Sequence, residues 1–216
     1  MKLDSDMKRR LIGAMADTLI SHAVELTDLD RAIGDGDHGL NMKRGFEAVL
    51  ADGDNLAARP LPDLLKTLGT HLVMTIGGAS GPLYGTLFMA LGKEIPAEPS
   101  LADTARAFAA AVNAVKARGK SNVGEKTMLD VLQPVADSLQ AAAANAGSDL
   151  AARLSAAADG GLEATRPMKA TKGRASFLGE RSIGHLDPGA RSSQLLVHAI
   201  LGALTAEPAL EGAKFA

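Results

Sequence analysis

Three aspartates and a histidine lie close together near the start of the sequence, and they are the residues best suited to chemistry. Asp30, Asp35, Asp37 and His38 fall within nine residues. Carboxylate oxygens are the hard ligands that Mg²⁺ prefers, and clustered carboxylates repel one another unless a cation lies among them. Glycines between the aspartates allow the tight turns that bring the carboxylates to one point. The segment predicts a divalent metal site, with room for more than one ion.

Two other interpretations of this acidic segment have to be weighed. Asp-Gly pairs are ordinary turn residues, so the spacing alone leaves a solvated turn as an open alternative. A calcium-binding EF-hand loop requires a bidentate glutamate at its twelfth position. That position is Phe46 when counted from Asp35 and Asn41 when counted from Asp30, so we set an EF-hand aside.

A helix is predicted to begin directly after Asp37, at residues 38–41. The start of a helix offers free N–H groups and the positive end of the helix dipole, which together favour a phosphate. Metal-binding carboxylates beside such a helix start predict a metal–nucleotide site. His38 by itself equally suits a capping or packing role.

Two other glycine-rich turns could bind an anion. The turn at 77–81 can offer backbone N–H groups and the Ser80 hydroxyl, although for this turn taken by itself we favour close helix packing with an N-cap. The segment 119–127 looks at first like a P-loop. Ala114 stands where that motif needs glycine, and Glu125 stands where it needs lysine. Any nucleotide site here is therefore not of the Walker type.

Apolar residues at helical spacing predict an all-α protein of eight amphipathic helices. We expect Ser5 or Asp6 to cap the first helix, Ser100 to cap the fifth, Gly119 to end it, and Pro134 to kink the sixth or delay its start. Short connections favour one antiparallel bundle or barrel, a single domain over residues 1–216. The predicted helices span about 5–27, 39–51, 61–75, 80–93, 100–117, 127–145, 148–165 and 190–206.

The connection over 166–189 is unusually long. It holds four glycines, two prolines and five basic side chains. A connection of this length in a compact domain is usually functional or disordered. Its apolar residues, which are Met168, Phe177, Leu178 and Ile183, predict an ordered loop that packs against the rest of the protein.

The composition narrows the possible classes of function. There is no cysteine, so disulfides and thiolate metal sites are excluded, and the net charge of -2 gives no sign of a nucleic acid or membrane partner. The sequence shows neither a secretory signal nor a run of about 20 apolar residues that could span a bilayer. We expect a cytoplasmic protein.

Four segments, in order, resemble the nucleotide-binding L domain of dihydroxyacetone kinases. They are residues 34–39, 77–85, 124–130 and 172–190. The resemblance covers the chain from end to end, and four matches in the family's order are far more specific than a single Gly-Asp-Gly-Asp. It implies a closed barrel of eight antiparallel helices with the nucleotide at one end.

The resemblance also implies the residues of the site. Asp30, Asp35 and Asp37 would coordinate two Mg²⁺ ions that bridge the phosphates of ADP or ATP, and they would share the catalytic role with Arg181. Arg174 competes with Arg181 for contact with the phosphates. The residues expected against the nucleotide are His38, Gly39, Leu40, Asn41, Gly78, Ala79, Ser80, Gly124, Thr127, Met128, Arg174, Arg181, Asp187, Pro188 and Gly189.

The same resemblance implies partners. We expect a separate K subunit that holds dihydroxyacetone covalently, because the chain ends shortly after the eighth predicted helix. Either ATP exchanges at each turnover, or bound ADP is recharged by a protein of the sugar phosphotransferase system, and the long C-terminal match favours the second. The alternatives are an ADP-loaded sensor that binds a transcriptional regulator and a barrel with a vestigial metal loop. The sequence leaves open which triose or tetrose is phosphorylated, and also the oligomeric state, a homodimer included.

Overall fold

The computed structural model describes residues 3–145 and 149–206. Within them are ten α-helices and one 3₁₀ helix, and this part of the chain holds no strand, so the predicted all-α class is confirmed. The elements are α1 (Ser5–Ser21), α2 (Ala23–Ile33), α3 (His38–Ala51), α4 (Gly53–Ala58), α5 (Leu61–Thr75), α6 (Ser80–Glu94), α7 (Leu101–Gly119), α8 (Leu129–Ala144), α9 (Leu150–Ala164), the 3₁₀ helix (Arg174–Ser182) and α10 (Pro188–Thr205).

The eight longest helices pack as a closed ring. Going round it, α1 packs on α3, then follow α5, α6, α7, α8, α9 and α10, and α10 packs on α1 again. Helices α5 and α6 run antiparallel, because Gly69 lies against the carbonyl of Gly85 and Gly92 lies against that of Pro62. These glycines let the two backbones approach closely, since a Cβ at either position would lie under 3 Å from the facing carbonyl oxygen.

The interior of the ring is filled by aliphatic and aromatic side chains. Burying a side chain of this size contributes about 1.5–3 kcal/mol. The core therefore provides the main stabilisation, as expected for helices whose apolar stripes face inwards. The side chains without solvent exposure include Leu19, Leu26, Met42, Phe46, Val49, Leu56, Leu68, Leu72 and Leu129.

The first predicted helix is in fact two helices. The chain breaks at His22, whose ring Nδ1 lies 2.7 Å from the carbonyl oxygen of Thr18 while the Ser21 hydroxyl donates to the same oxygen. Side chains that bond nearby backbone groups compete with the helix, which accounts for the break. Helix α2 leaves the ring there and packs on α3 and α10. The N-cap of α1 is Asp4, whose carboxylate accepts from the backbone N–H of Met7 at 2.8 Å, so the prediction of Ser5 or Asp6 was wrong.

Other helix ends follow the predictions more closely. Ser100 caps α7 as predicted, and that helix includes Gly119 and ends at Lys120, which has a left-handed φ of 48°. Helix α8 begins at Leu129 and continues through Pro134. Helix α3 ends at Ala51, as predicted, and the short helix α4, which we did not predict, follows it. The start predicted at residue 148 lies outside the described residues.

The long connection before α10 is ordered, as predicted, and contains the 3₁₀ helix. Ala170 and Ala175 are buried against Ile33 at the end of α2, and Leu178 packs on them. Phe177 is 83% exposed, and Ile183 is also exposed, so the prediction that these two pack inwards was wrong. Within residues 3–145 and 149–206, no helix combines the length and the apolar character needed to cross a membrane.

Candidate functional site

The three aspartates converge at the junction of α2 and α3. Asp30 is buried near the end of α2, whereas Asp35 and Asp37 are exposed on the short connection to α3. One carboxylate oxygen from each residue lies within 4.8 Å of the others. Asp30 accepts from the backbone N–H groups of Asp37 at 2.8 Å and His38 at 3.1 Å, both through Oδ2. These bonds fix the connection around the Asp30 carboxylate.

The glycine at position 34 is required by this close approach. A Cβ built there would lie 2.1 Å from Oδ1 of Asp30, which is far inside van der Waals contact. Gly34 also donates its N–H to the carbonyl oxygen of Asp30. Gly36 has a left-handed φ of 73°, a conformation that glycine adopts without strain. Both glycines therefore serve the convergence of the carboxylates.

The donor set of the cluster suits a hard divalent cation. It offers carboxylate oxygens, the ligands that Mg²⁺ binds while keeping waters or phosphate oxygens. The guanidinium of Arg174 lies 3.0 Å from Oδ2 of Asp35 and partly offsets the negative charge. Of the helix start at residues 38–41 that we predicted for a phosphate, the N–H of His38 donates to Asp30, as does the N–H of Asp37 before it.

A cavity of about 620 Å³ opens beside the cluster, a volume within the range of small-molecule and cofactor sites. It lies where the connections before α3, α6, α8 and α10 meet. Most of the predicted site residues line it, namely Asp30, Asp35, Asp37, His38, Gly78, Ala79, Ser80, Thr127, Met128, Arg174, Asp187, Pro188 and Gly189.

Five predicted residues lie outside this lining. Gly39 packs against the carbonyl oxygen of Ala23, where a Cβ would lie 1.9 Å away. Asn41 is buried and accepts from the guanidinium of Arg44 at 2.6 Å. Because contact with a bound nucleotide is not tested by this geometry, their roles stay predictions. The five are Gly39, Leu40, Asn41, Gly124 and Arg181.

His38 connects three helix starts through hydroxyl groups. Its Nδ1 lies 3.0 Å from Oγ of Ser80 and its Nε2 lies 2.9 Å from Oγ of Ser192. Burial lowers the pKa of His38, against the pull of the neighbouring Asp30 and Asp37 carboxylates, so the ring is neutral at physiological pH. A neutral imidazole donates through one nitrogen and accepts through the other, which suits two hydroxyl partners.

Ser192 extends this hydrogen-bond network to Tyr84. The Tyr84 hydroxyl lies 2.7 Å from Oγ of Ser192 and 2.9 Å from Oγ of Ser193, and burial raises the pKa of Tyr84 to about 12. Sequence reasoning assigned no role to either serine, because neither lies in a motif and their partners are more than 100 residues away.

Further lining residues were also unassigned from the sequence. Tyr84 and Lys126 lie inside two of the matched segments, so the match could have suggested them. Val115 and Arg118 lie on α7, which carries no motif. The unassigned lining residues are Ile33, Pro82, Leu83, Tyr84, Val115, Arg118, Gly119, Ser121, Lys126, Lys172, Gly173 and Ala175.

Asp187 is a buried acid at the start of α10. Its carboxylate caps the helix by accepting from the N–H of Ala190 at 2.7 Å. Burial raises the pKa of Asp187 to about 7, and the nearby Asp130 carboxylate adds to this, while the Ala190 bond and the Lys126 ammonium oppose it. The group therefore titrates near neutral pH in the folded protein.

Comparison with known families agrees with the geometry. The model of the DAK2 domain matches residues 32–202. This chain belongs to the DAK2 domain family. Among its relatives is the ADP-binding subunit DhaL of a PEP-dependent dihydroxyacetone kinase from Listeria innocua, 44% identical over 202 residues that cover 93% of this chain and 98% of the relative. The corresponding DhaL subunit of Escherichia coli is 44% identical over 176 residues, covering 80% of this chain and 84% of that one.

Proteins much longer than this chain are also among its relatives. Human triokinase/FMN cyclase is 35% identical over 90% of this chain, which covers 34% of that protein. The crystal structure of the dihydroxyacetone kinase of C. freundii superposes with a TM-score of 0.74 at 24% identity, over 91% of this chain and 34% of that one. A second structure of that kinase, in complex with AMP-PNP and Mg²⁺, gives a TM-score of 0.73. This chain spans about a third of the solved structures, which share its fold.

The raised pKa of Asp187 predicts how the free energy of unfolding depends on pH. Because its pKa is about 7 when folded and about 3.9 when unfolded, the native state binds more protons between these values. Stability should therefore fall as pH rises from about 4 to 7 and level off above that, by about 1.4 kcal/mol per unit of pKa difference. Asp187→Asn keeps a capping oxygen and cannot ionise. The stability of this variant relative to the wild type should rise across this range in urea unfolding.

Asp159 provides a control of opposite sign. Although partial burial works against it, bonds from Gln194 and His198 lower the pKa of Asp159. Its ionised form stabilises the protein at neutral pH, and this stabilisation is lost towards acid. Between about pH 4 and 7, where Asp187 changes the stability, the stability of Asp159→Asn relative to the wild type should stay constant, and it should rise only as pH falls below about 4. An Asp187→Asn profile parallel to the wild type would contradict the assignment.

Proposed function

We propose that this chain is the nucleotide-binding subunit of a dihydroxyacetone kinase. It would hold ADP or ATP in the cavity and support phosphoryl transfer to dihydroxyacetone bound on a separate K subunit. The observation that carries the proposal is the convergence of three carboxylates within 4.8 Å at the edge of a cavity of about 620 Å³. The relatives named as ADP-binding subunits match over most of their length, which supports a separate subunit.

Asp30, Asp35 and Asp37 are the residues that would hold two Mg²⁺ ions. Phosphates and carboxylates repel each other, so a cation between them is what makes an acidic cluster useful in a nucleotide site. Bound Mg²⁺ would offset the negative charge of the phosphates during transfer. Asp30 is already oriented by two backbone N–H groups, so one ligand needs little rearrangement.

The start of α6 is better suited to bind the phosphates than the start of α3. No side chain caps its first turn, and Gly78, Ala79 and Ser80 line the cavity there. Its free N–H groups and the positive end of the helix dipole favour an anion. His38 holds the Ser80 hydroxyl by a hydrogen bond of 3.0 Å, and Arg174 adds positive charge next to Asp35.

Other lining residues of the cavity suit the base. Leu83, Val115 and Met128 offer apolar surface, and Thr127 adds a hydroxyl. A purine ring buried between aliphatic side chains gains from the removal of apolar area from water, while a hydroxyl can recognise a ring nitrogen. This division of the cavity would orient the phosphates towards the three aspartates.

The source of the phosphoryl group is the second part of the proposal. Relatives carry the names PEP-dependent and, in Lactococcus lactis, PTS-dependent dihydroxyacetone kinase. By analogy, ADP would stay bound and be rephosphorylated by a protein of the sugar phosphotransferase system. Such a partner would place the reaction in the cytoplasm.

Removing one carboxylate tests the metal cluster. Asp37→Asn should weaken the binding of ADP in the presence of Mg²⁺ by at least about tenfold, since even indirect changes at metal sites cost 10–100-fold. Isothermal titration calorimetry measures this, and transfer activity with a K subunit should fall with it. Asp28→Asn is the matched control, because Asp28 lies on α2 and pairs with Arg31 outside the cluster. Equal affinity of Asp37→Asn and wild type would refute the role of the cluster.

Native mass spectrometry tests the phosphoryl source. If ADP is a resident cofactor, the purified protein should carry the mass of ADP and Mg²⁺ after extensive dialysis. With a K subunit and ATP alone, turnover should be slow, because exchange of the bound nucleotide would limit it. Release of ADP on dialysis together with full turnover on ATP would instead assign an ordinary ATP-dependent kinase.

A further inference from the structure

Lys126 is a buried lysine in the turn between α7 and α8, and only 1% of it is exposed. It belongs to the wall of the cavity, where a lysine would ordinarily be taken for a phosphate ligand. Its backbone has a left-handed φ of 61°. A residue with a Cβ is disfavoured in this conformation, so the contacts of the lysine side chain must offset this strain.

The ammonium of Lys126 is fully occupied by the protein. It donates to the carbonyl oxygens of Thr165 at 2.7 Å, Met168 at 3.2 Å and His185 at 2.5 Å. A lysine ammonium has three N–H donors, and three acceptors use all of them. A phosphate could therefore bind Lys126 only by breaking one of these buried bonds.

The three carbonyls lie at the two ends of the long connection between α9 and α10. We call residues 166–187 of this connection the 166–187 loop. Thr165 lies directly after α9 and His185 lies just before α10. Two backbone donors join the same ends, since Gly184 donates to the carbonyl of Arg166 at 2.8 Å and Asp187 donates to the Thr165 hydroxyl at 3.1 Å. Lys126 thus joins the two ends of the loop, and we call this junction its neck.

The far part of the loop returns to the cavity. Arg174 reaches Asp35 at 3.0 Å, and both Arg174 and Lys172 line the cavity. The Lys172 ammonium lies 3.9 Å from the carboxylate of Glu125, and the N–H of Thr171 donates to the Glu125 carbonyl. Glu125 and Lys126 are neighbours, so a single dipeptide holds both the neck of the loop and the part that carries its cations.

We propose that Lys126 is a positioning residue for the phosphoryl group: its ammonium closes the 166–187 loop and so holds Lys172 and Arg174 over the phosphate end of the cavity, without contacting the nucleotide itself. This rests on the proposed function, because the loop cations matter only if the cavity takes a nucleotide. The inference separates Lys126 from the residues that touch the ligand.

A comparison of two backgrounds tests the proposal. Lys126→Met removes the ammonium and keeps most of the volume, and it is made in the wild type and in Lys172→Gln/Arg174→Gln, where the loop carries no cation to the cavity. The affinity of the full chain for ADP with Mg²⁺ is measured by calorimetry for all four proteins. Residues that act through one another give non-additive changes in binding free energy, whereas the fold-changes in affinity from independent contacts multiply.

Lys126→Met should weaken ADP binding by about tenfold in the wild type, since bonds to a charged group are lost, and by less than about threefold in the cation-free background. A tenfold loss in both backgrounds would show that Lys126 contacts the nucleotide directly and would overturn the proposal. An unchanged affinity in the wild type would overturn it as well.

Tryptic cleavage provides a readout that needs no nucleotide. The loop contains Lys169, Lys172, Arg174 and Arg181, so loosening its neck should accelerate cleavage there well below the melting temperature, with helical circular dichroism unchanged. Cleavage at the wild-type rate would contradict the closure of the loop. If the wild type binds no ADP, the proposed function fails, while this measurement still decides whether Lys126 closes the loop.

A second variant covers the case in which Lys126→Met does not fold. Ser182 lies in the same loop, outside the cavity lining, and its hydroxyl oxygen accepts from the N–H of Ala170 at 2.9 Å. Ser182→Ala should loosen the loop and show the same dependence on background, with a smaller loss of affinity. An equal loss in both backgrounds would contradict the proposal here too.

Discussion

The electrostatic repulsion among three converging carboxylates is the constraint on which the rest of this structure depends. Asp30, Asp35 and Asp37 bring their oxygens within 4.8 Å, an arrangement that is unfavourable without positive charge close by. The surrounding chain is built to hold it. Backbone N–H groups fix Asp30, and Gly34 leaves the space that its carboxylate occupies. A solvated turn would not require these hydrogen bonds or the space that Gly34 leaves.

The helical ring places this cluster of carboxylates beside a cavity. Helices α3, α6 and α10 begin around one cavity, and His38, Ser80, Ser192 and Tyr84 tie these starts together by hydrogen bonds. Such buried networks are rigid when every member has a partner. The turn before α8 holds the 166–187 loop through Lys126. The three aspartates, the start of α6 and the cations of the loop are thereby positioned by hydrogen bonds and ion pairs within the protein.

The sequence predicts those parts that are encoded locally. Helical periodicity indicates the ring helices, and the acidic cluster is visible because its members are close in sequence. The break at His22 is not visible, because the side chains of Ser21 and His22, which bond the Thr18 carbonyl, lie within an apolar helical pattern. Contacts between distant residues, such as the bond of Lys126 to His185, leave no local pattern. Likewise, no local pattern shows that Arg174 lines the cavity whereas Arg181 does not.

The most direct test of this account is a crystal structure of the full chain grown with Mg²⁺ and ADP. Two ions should appear, each bound by oxygens of Asp30, Asp35 or Asp37 at about 2.1 Å and shared with the phosphates of ADP. The positions of Mn²⁺ substituted for Mg²⁺ would identify the ions by anomalous scattering. ADP bound elsewhere, or bound in the cavity while the three carboxylates hold no ion, would contradict it.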